Sequence, residues 1–304
     1  IGHCAANPYG GFSGGYKMLV TGLAGRASIA SHHNPDTMHR HDWLGGAIDS
    51  HMRHQFRSIG RAIERGIGKQ VFAVDAVLGQ LSEVLDVRAG TIPEVERATW
   101  PLAKRRAEVV IDELEQPADI LLVGLPRDFH YGPGMGTNPI LMSLAIGAQY
   151  SRAARALRPD PVIIALAACD GWFNADWFPS YEESYEALQR YDTAADFLAS
   201  EDAHRISTDP TYCAAYSTGY SYHPFHAMSM ISGGAVPLKW CPQVYLVGAE
   251  QPRYARGMGY RTLHSVNEAL EDAQRYVGSN PRILATPECY SGGMAVNLIA
   301  AGAA

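Results

Sequence analysis

Ile120-Leu121-Leu122-Val123 is an unbroken apolar run that stops at Gly124. Three more runs of the same kind follow: Val162-Ile163-Ile164-Ala165-Leu166, Val244-Tyr245-Leu246-Val247 and Ile283-Leu284-Ala285. Between them lie segments with helical patterning, notably Asn138 to Leu157 and Ser265 to Val277. A strand that is apolar at every residue has both faces buried, which is the condition of a parallel sheet sandwiched by helices. The pattern therefore predicts an α/β fold with a mainly parallel sheet covered by helices. In such sheets ligands bind beyond the carboxyl ends of the strands, here the loops that start at Gly124, Ala167, Gly248 and Thr286.

Moving outward toward the N-terminus, Gln116-Pro117 is the best boundary, dividing the chain into domains at 1–116 and 117–304. Ahead of it, Leu44 to Ile67 has a helical stripe of Ile48, Met52, Phe56, Ile59 and Ile63. Val71 to Leu78 and Val84 to Arg88 flank Gly79-Gln80 and predict a hairpin. Pro93 to Leu114 reads as one long helix bent at Pro101. Ala27 to His33 reads as a helical turn or two closed by Asn34-Pro35.

Composition sets the limits. The chain has 304 residues, 47% of them hydrophobic and 18% charged, which describes globular domains with real cores. A net charge of −6 without any basic run excludes a nucleic-acid surface. No apolar stretch approaches the ~20 residues of a membrane span. Cys4, Cys169, Cys213, Cys241 and Cys289 are dispersed, with no C-x-x-C pair. That usage predicts reduced thiols in a cytoplasmic protein.

Chemistry concentrates in Ala6 to Asp42, ANPYGGFSGGYKMLVTGLAGRASIASHHNPDTMHRHD. Gly10, Gly11, Ser13, Gly14 and Gly15 form a small-residue loop ending on Lys17, and His33 follows sixteen residues later. Glycines allow close approach of the backbone, and a desolvated lysine becomes nucleophilic. The plain alternative is a loop carrying a solvated charge. His32, His33, His39, His41, His51 and His54 admit a metal site, since imidazole suits nickel and zinc, or simply a histidine-rich surface. Beyond the first apolar run, Arg127 and Asp128 sit where ligand loops belong, followed by Phe129-His130-Tyr131 and the glycines of residues 132–136. Asp170, past the second run, is a site residue or a cap. The aromatics from Trp172 to Tyr181 read first as packing.

Phe12-Ser13-Gly14-Gly15-Tyr16-Lys17, then Gly22-Leu23-Ala24-Gly25, then His33, resembles the signature of the lactate racemase family. The resemblance implies two α/β domains with the site at the interdomain cleft, and residues 1–116 as the latter part of the N-terminal, cofactor-anchoring domain. It further implies that more residues precede Ile1. The implied cofactor is a nickel-pincer nucleotide, a pyridinium thioamide/thiocarboxylic acid mononucleotide carrying Ni, supplied by cofactor biosynthesis proteins. Lys17 would be its covalent anchor, Ser13, Gly14 and Gly15 would line it, and His33 would ligate the nickel. Arg127 stands where the family has a substrate-contacting lysine, and Asp128 and Asn7 would also face a small 2-hydroxy acid. His32 falls where the family more often has asparagine. Asn7, ten residues before Lys17, stands at one of the family's acid/base histidines, and a carboxamide cannot exchange a proton near neutral pH.

The leading expectation is an isomerase, a racemase or epimerase of a 2-hydroxy acid. The alternatives are a cofactor-binding homologue with another hydride-transfer reaction or none, motivated by Asn7, and a histidine-rich metal hydrolase with three protein ligands.

Overall fold

The computed structural model describes residues 1–128, 134, 136–290 and 295–303. Phe129, His130, Tyr131, Gly132, Pro133 and Met135 of the glycine-rich loop lie outside the described residues. The chain divides into two units, one of Ile1–Gln116, Ser151–Ala156 and Gly292–Ala304, the other of Pro117–Tyr150 and Leu157–Ser291.

In the first unit, β1 (Gly2–Cys4) runs parallel to β4 (Phe72–Leu78), which pairs antiparallel with β5 (Val84–Thr91). β4 and β5 form the expected hairpin. Two-residue strands β2 (Ala6–Asn7) and β3 (Gly11–Phe12) make a small antiparallel ladder. Three short helices follow: α1 (Gly15–Lys17), α2 (Arg26–Ala30) and α3 (Pro35–Met38). Asn34 does not merely close a helix, because its side chain accepts the Thr37 N–H and starts α3, with Pro35 at the first helical position.

The long helix α4 (His51–Ile67) begins later than the stripe suggested. Gly45 and Gly46 take positive φ, and the helix starts where Ser50 caps the Arg53 N–H. Its Met52 and Phe56 pack with Tyr16, Val20, Met38 and Ile92 into one core. α5 (Ile92–Ala107) has Glu94 accepting the Thr91 N–H at its start, and it contains Pro101. It ends at Ala107 and not at Leu114, because β6 (Glu108–Ile111) takes over.

The second unit is the parallel sheet anticipated from the apolar runs. β7 (Ala118–Gly124), α6 (Pro139–Ala153), β8 (Leu157–Leu166), β9 (Val244–Val247), β10 (Arg261–Leu263) and β11 (Ile283–Thr286) give the strand order β10-β9-β8-β7-β11. Val162, Ile163, Ile164 and Ala165 are all fully buried. Successive residues point to opposite faces, so both faces of the sheet are covered. Val162, Ile164, Tyr245 and Val247 pack against Ala269 and Ala273 of the helix Val266–Val277. The chain then returns to the first unit, where β12 (Asn297–Ala300) pairs in parallel with β6. Among the described residues, no helix is long and apolar enough to cross a membrane.

Each aliphatic side chain buried in this sheet contributes about 1.5–3 kcal/mol. Ile164→Ala is expected to lower unfolding free energy by ~2–5 kcal/mol in urea titrations. Ile283→Ala, at a residue 42% exposed on the β11 edge, should cost much less.

Candidate functional site around Lys17

The glycine-lysine loop is held by buried charges from three different elements. Gly15 N–H donates to Asp75 Oδ2 of β4 (2.9 Å), and Tyr16 N–H donates to Glu96 Oε1 of α5 (3.1 Å). From α4, Arg53 donates through Nε to Gly10 O (2.8 Å) and through Nη2 to Phe12 O (2.6 Å). Arg53 is fully buried, 3.7 Å from Glu96, with its guanidinium against the Phe56 and Trp100 rings. Burial pushes its pKa down to about 10, against the pull of Glu96, so it stays charged at neutral pH. Gly14 and Gly15 both have positive φ, and a Cβ at either would collide with Asp75 or Glu96. Their glycine identity comes from this carboxylate packing. Ser13 Oγ donates to His3 O (2.9 Å) and accepts from Ala5 N–H (3.1 Å). The polar groups of Ser13 and of the loop at Gly15 and Tyr16 are thus engaged within the protein.

Lys17, at the end of α1, is partly buried. Its Nζ donates to Tyr9 O (2.7 Å) and to Asn7 Oδ1, and the same Asn7 oxygen accepts Tyr9 N–H (2.9 Å). Nζ also lies 5.9 Å from the centre of the Phe56 ring. Burial, reinforced by the positive charge of Arg53, pushes the Lys17 pKa well below the ordinary lysine value.

His32 and His33 pack against the same aromatic residues, Phe56 and Tyr9. The His32 ring meets Phe56 edge-on at 4.9 Å, and the His33 ring lies 6.0 Å from that of Tyr9. His32 Nε2 is 3.1 Å from Val20 O, and His32 Nδ1 is 2.6 Å from His33 Nδ1. A carbonyl only accepts, so Nε2 of His32 carries the hydrogen, and neutral His32 presents a lone pair at Nδ1. His33 Nδ1 must then donate to it, which makes Nε2 the unprotonated nitrogen of neutral His33. A partner that selects the tautomer of a neighbouring imidazole is the usual device for preparing a metal ligand. The burial of His32 lowers its pKa to about 4, and nearby Lys17 acts in the same direction.

The remaining histidines do not join this pair into a larger cluster. His39 is buried, His41 and His51 are exposed, and His54 pairs with Asp49 at 3.0 Å on the surface. Among the described residues, no three His, Cys, Asp or Glu side chains are grouped to hold a metal ion. The three-ligand site of a hydrolase is therefore absent from these residues.

Arg127 belongs to the second unit. Its guanidinium donates to Asp170 Oδ2 (3.1 Å) and to Glu250, so the loops after β7, β8 and β9 converge on one cation. Both carboxylates raise its pKa. Asp170 also accepts Trp172 N–H (2.9 Å), and so is both a partner and a cap. Asp128 accepts Gly134 N–H (2.6 Å). Of the aromatics, Phe178 and Tyr181 are buried, while Trp172 and Trp177 remain exposed.

Sequence reading missed Arg53, Asp75 and Glu96. Only Asp75 carried a sequence signal, a charge in step with Ala73 and Val77 on one strand face, since Arg53 and Glu96 lie on helices off the apolar stripe or without one.

No family model and no curated protein matches the chain. Solved structures do match it. The lactate racemase apoprotein from Thermoanaerobacterium thermosaccharolyticum, 17% identical, covers 98% of this chain with a TM-score of 0.60. A protein from Thermotoga maritima, 12% identical, covers 98% with a TM-score of 0.50. The aligned region is 61% of the first neighbour and 65% of the second, so this chain spans about three fifths of the lactate racemase chain. The likeness is one of fold: the chain has a lactate racemase-like, two-unit α/β architecture.

His32 binds fewer protons folded than unfolded between its ordinary pKa of 6.5 and about 4. Stability should therefore fall as pH drops through that window, by up to about 3 kcal/mol from this group. His32→Asn in metal-free protein is expected to flatten that part of the stability–pH curve. Arg53→Met, which strands Glu96 and two loop carbonyls, should cost about 3–5 kcal/mol in chemical denaturation.

Proposed function

We propose that the chain belongs to a 2-hydroxy acid racemase or epimerase, an isomerase that works with a lysine-tethered nickel-pincer nucleotide. The observation that carries this reading is the Lys17 amine, desolvated and held by Asn7 and Tyr9 beside a histidine pair. A lowered pKa favours an acyl linkage to a cofactor, since only the unprotonated nitrogen attacks a carboxyl-type carbon.

The residues fit the group in a particular way. The amides of Gly15 and Tyr16 already donate to carboxylates, which leaves the side chains of Lys17 and His33 to hold the cofactor. Asp75 and Glu96 would repel a phosphate brought to that loop. His33, oriented by His32, would offer Nε2 to the metal. The absence of a three-residue ligand cluster among the described residues suits a metal whose other ligands come from an organic ring. Bound there, the cofactor would supply reversible hydride acceptance at the substrate α-carbon. Arg127 would bring a guanidinium to the substrate carboxylate, with Asp128 beside it, and the pairing with Asp170 and Glu250 sets its orientation. Proteins that make and insert the cofactor would be its partners.

Asn7 favours a second reading, a homologue that binds the cofactor without racemising. Its carboxamide oxygen accepts from the Lys17 amine and the Tyr9 amide, so it acts as a clamp and transfers no proton.

Protein produced together with the cofactor-making enzymes is expected to carry nickel and an adduct on Lys17 by intact-mass and peptide mapping. Lys17→Ala should lose both. Unadducted, nickel-free protein would overturn both readings, whereas loaded protein that fails to racemise a panel of 2-hydroxy acids would select the second.

A further inference from the structure

A separate cavity of about 260 Å³ lies within the first unit, away from the Lys17 groups. Its lining combines apolar Phe12, Leu44 and Ile48 with polar Lys104, Glu108, Arg155 and Asn297.

The cavity is built by two consecutive left-handed glycines. At Gly45, with φ +67°, a Cβ would stand 2.7 Å from Arg155 Cγ. At Gly46, with φ +78°, a Cβ would run into the Asn297 carboxamide. Only glycine satisfies both the backbone and the space. Asn297 is 6% exposed and lines the cavity, so its carboxamide presents polar atoms at the cavity surface. A carboxamide at that surface offers an occupant both an N–H donor and a carbonyl acceptor. Asn297 opens β12, whose pairing with β6 fixes the backbone beneath it at Glu108.

Charge selects the occupant. Arg155 donates to Glu108 at 2.5 Å, and Lys104 lies 3.8 Å from the same carboxylate. Two cations share one anion, which leaves the polar lining with one uncompensated positive charge. The apolar lining accepts a hydrocarbon or aromatic body.

We propose that this cavity binds a small organic monocarboxylate. Its carboxylate lies against Lys104, Arg155 and the Asn297 amide, and its apolar body lies against Phe12, Leu44 and Ile48. The site is independent of the Lys17 chemistry. A volume of about 260 Å³ has room for a molecule the size of benzoate.

The test is ¹⁹F NMR titration of the protein with 4-fluorobenzoate at constant ionic strength, with 4-fluorobenzamide as the uncharged comparison. Saturable binding of the carboxylate is expected, with the benzamide at least about tenfold weaker, one charge-assisted contact being lost. Asn297→Ala should weaken the carboxylate about tenfold. Lys104→Gln, at an exposed position, should weaken it severalfold without affecting the benzamide. Lys17→Ala should bind as the unaltered protein does. Absence of saturation, equal affinity for the two probes, or unchanged binding in both Asn297→Ala and Lys104→Gln overturns the proposal. Loss of binding in Lys17→Ala also overturns it, because the probe would then report the Lys17 site.

Discussion

The Lys17 site depends on a buried cation pulling on two carbonyls of a glycine loop. Arg53 holds Gly10 O and Phe12 O, while Asp75 and Glu96 hold the amides three and four residues further on. Two carbonyl acceptors are followed along the loop by two amide donors; Arg53 of α4 answers the first pair, and Asp75 of β4 and Glu96 of α5 answer the second. The backbone is pinned on both sides, so Lys17 leaves the loop in one direction and has little room to move. A buried cation is costly unless its hydrogen bonds are met. The two carbonyls accept from Arg53 Nε and Nη2, while Nη1 faces Glu96 at 3.7 Å without a hydrogen bond and the Phe56 and Trp100 rings cover the guanidinium.

The electrostatics of that loop also explain the state of the amine. Arg53 stays charged close by, while the Lys17 pocket offers only neutral acceptors, Asn7 Oδ1 and Tyr9 O. Two cations in one desolvated region disfavour each other, and the group without a carboxylate has its pKa lowered. His32 follows the same rule. Buried and near Lys17, it remains neutral, and neutrality is what gives it a defined tautomer to impose on His33.

Much of the fold was legible. The runs at Ile120, Val162, Val244 and Ile283 are strands because every residue in them is apolar, and the structure aligns all four in one parallel sheet. The hairpin of β4 and β5 and the stripe of α4 were equally readable, since their partners are near in sequence. The helix assigned to Pro93–Leu114 stopped early for the opposite reason. Glu108–Ile111 pairs with Asn297–Ala300, and no local pattern announces a partner so far along the chain. The grouping of Gly14, Gly15 and Lys17 stood out in the sequence, but only the structure shows that Asp75 and Glu96 approach these glycines.

By itself the sequence determined the α/β class, the positions of the buried strands, and the ordered motif of glycines, Lys17 and His33. These follow from hydrophobic periodicity and residue type, which are local properties of a chain. Tertiary structure alone decided that Arg53, Asp75 and Glu96 converge on one loop, that Asn7 clamps the lysine, that Arg127 lies between Asp170 and Glu250, and that His32 sets the tautomer of His33. Each of these rests on a contact measured in ångströms or on a pKa shifted by desolvation. Both depend on which distant residues share a buried volume, and a linear pattern does not carry that information.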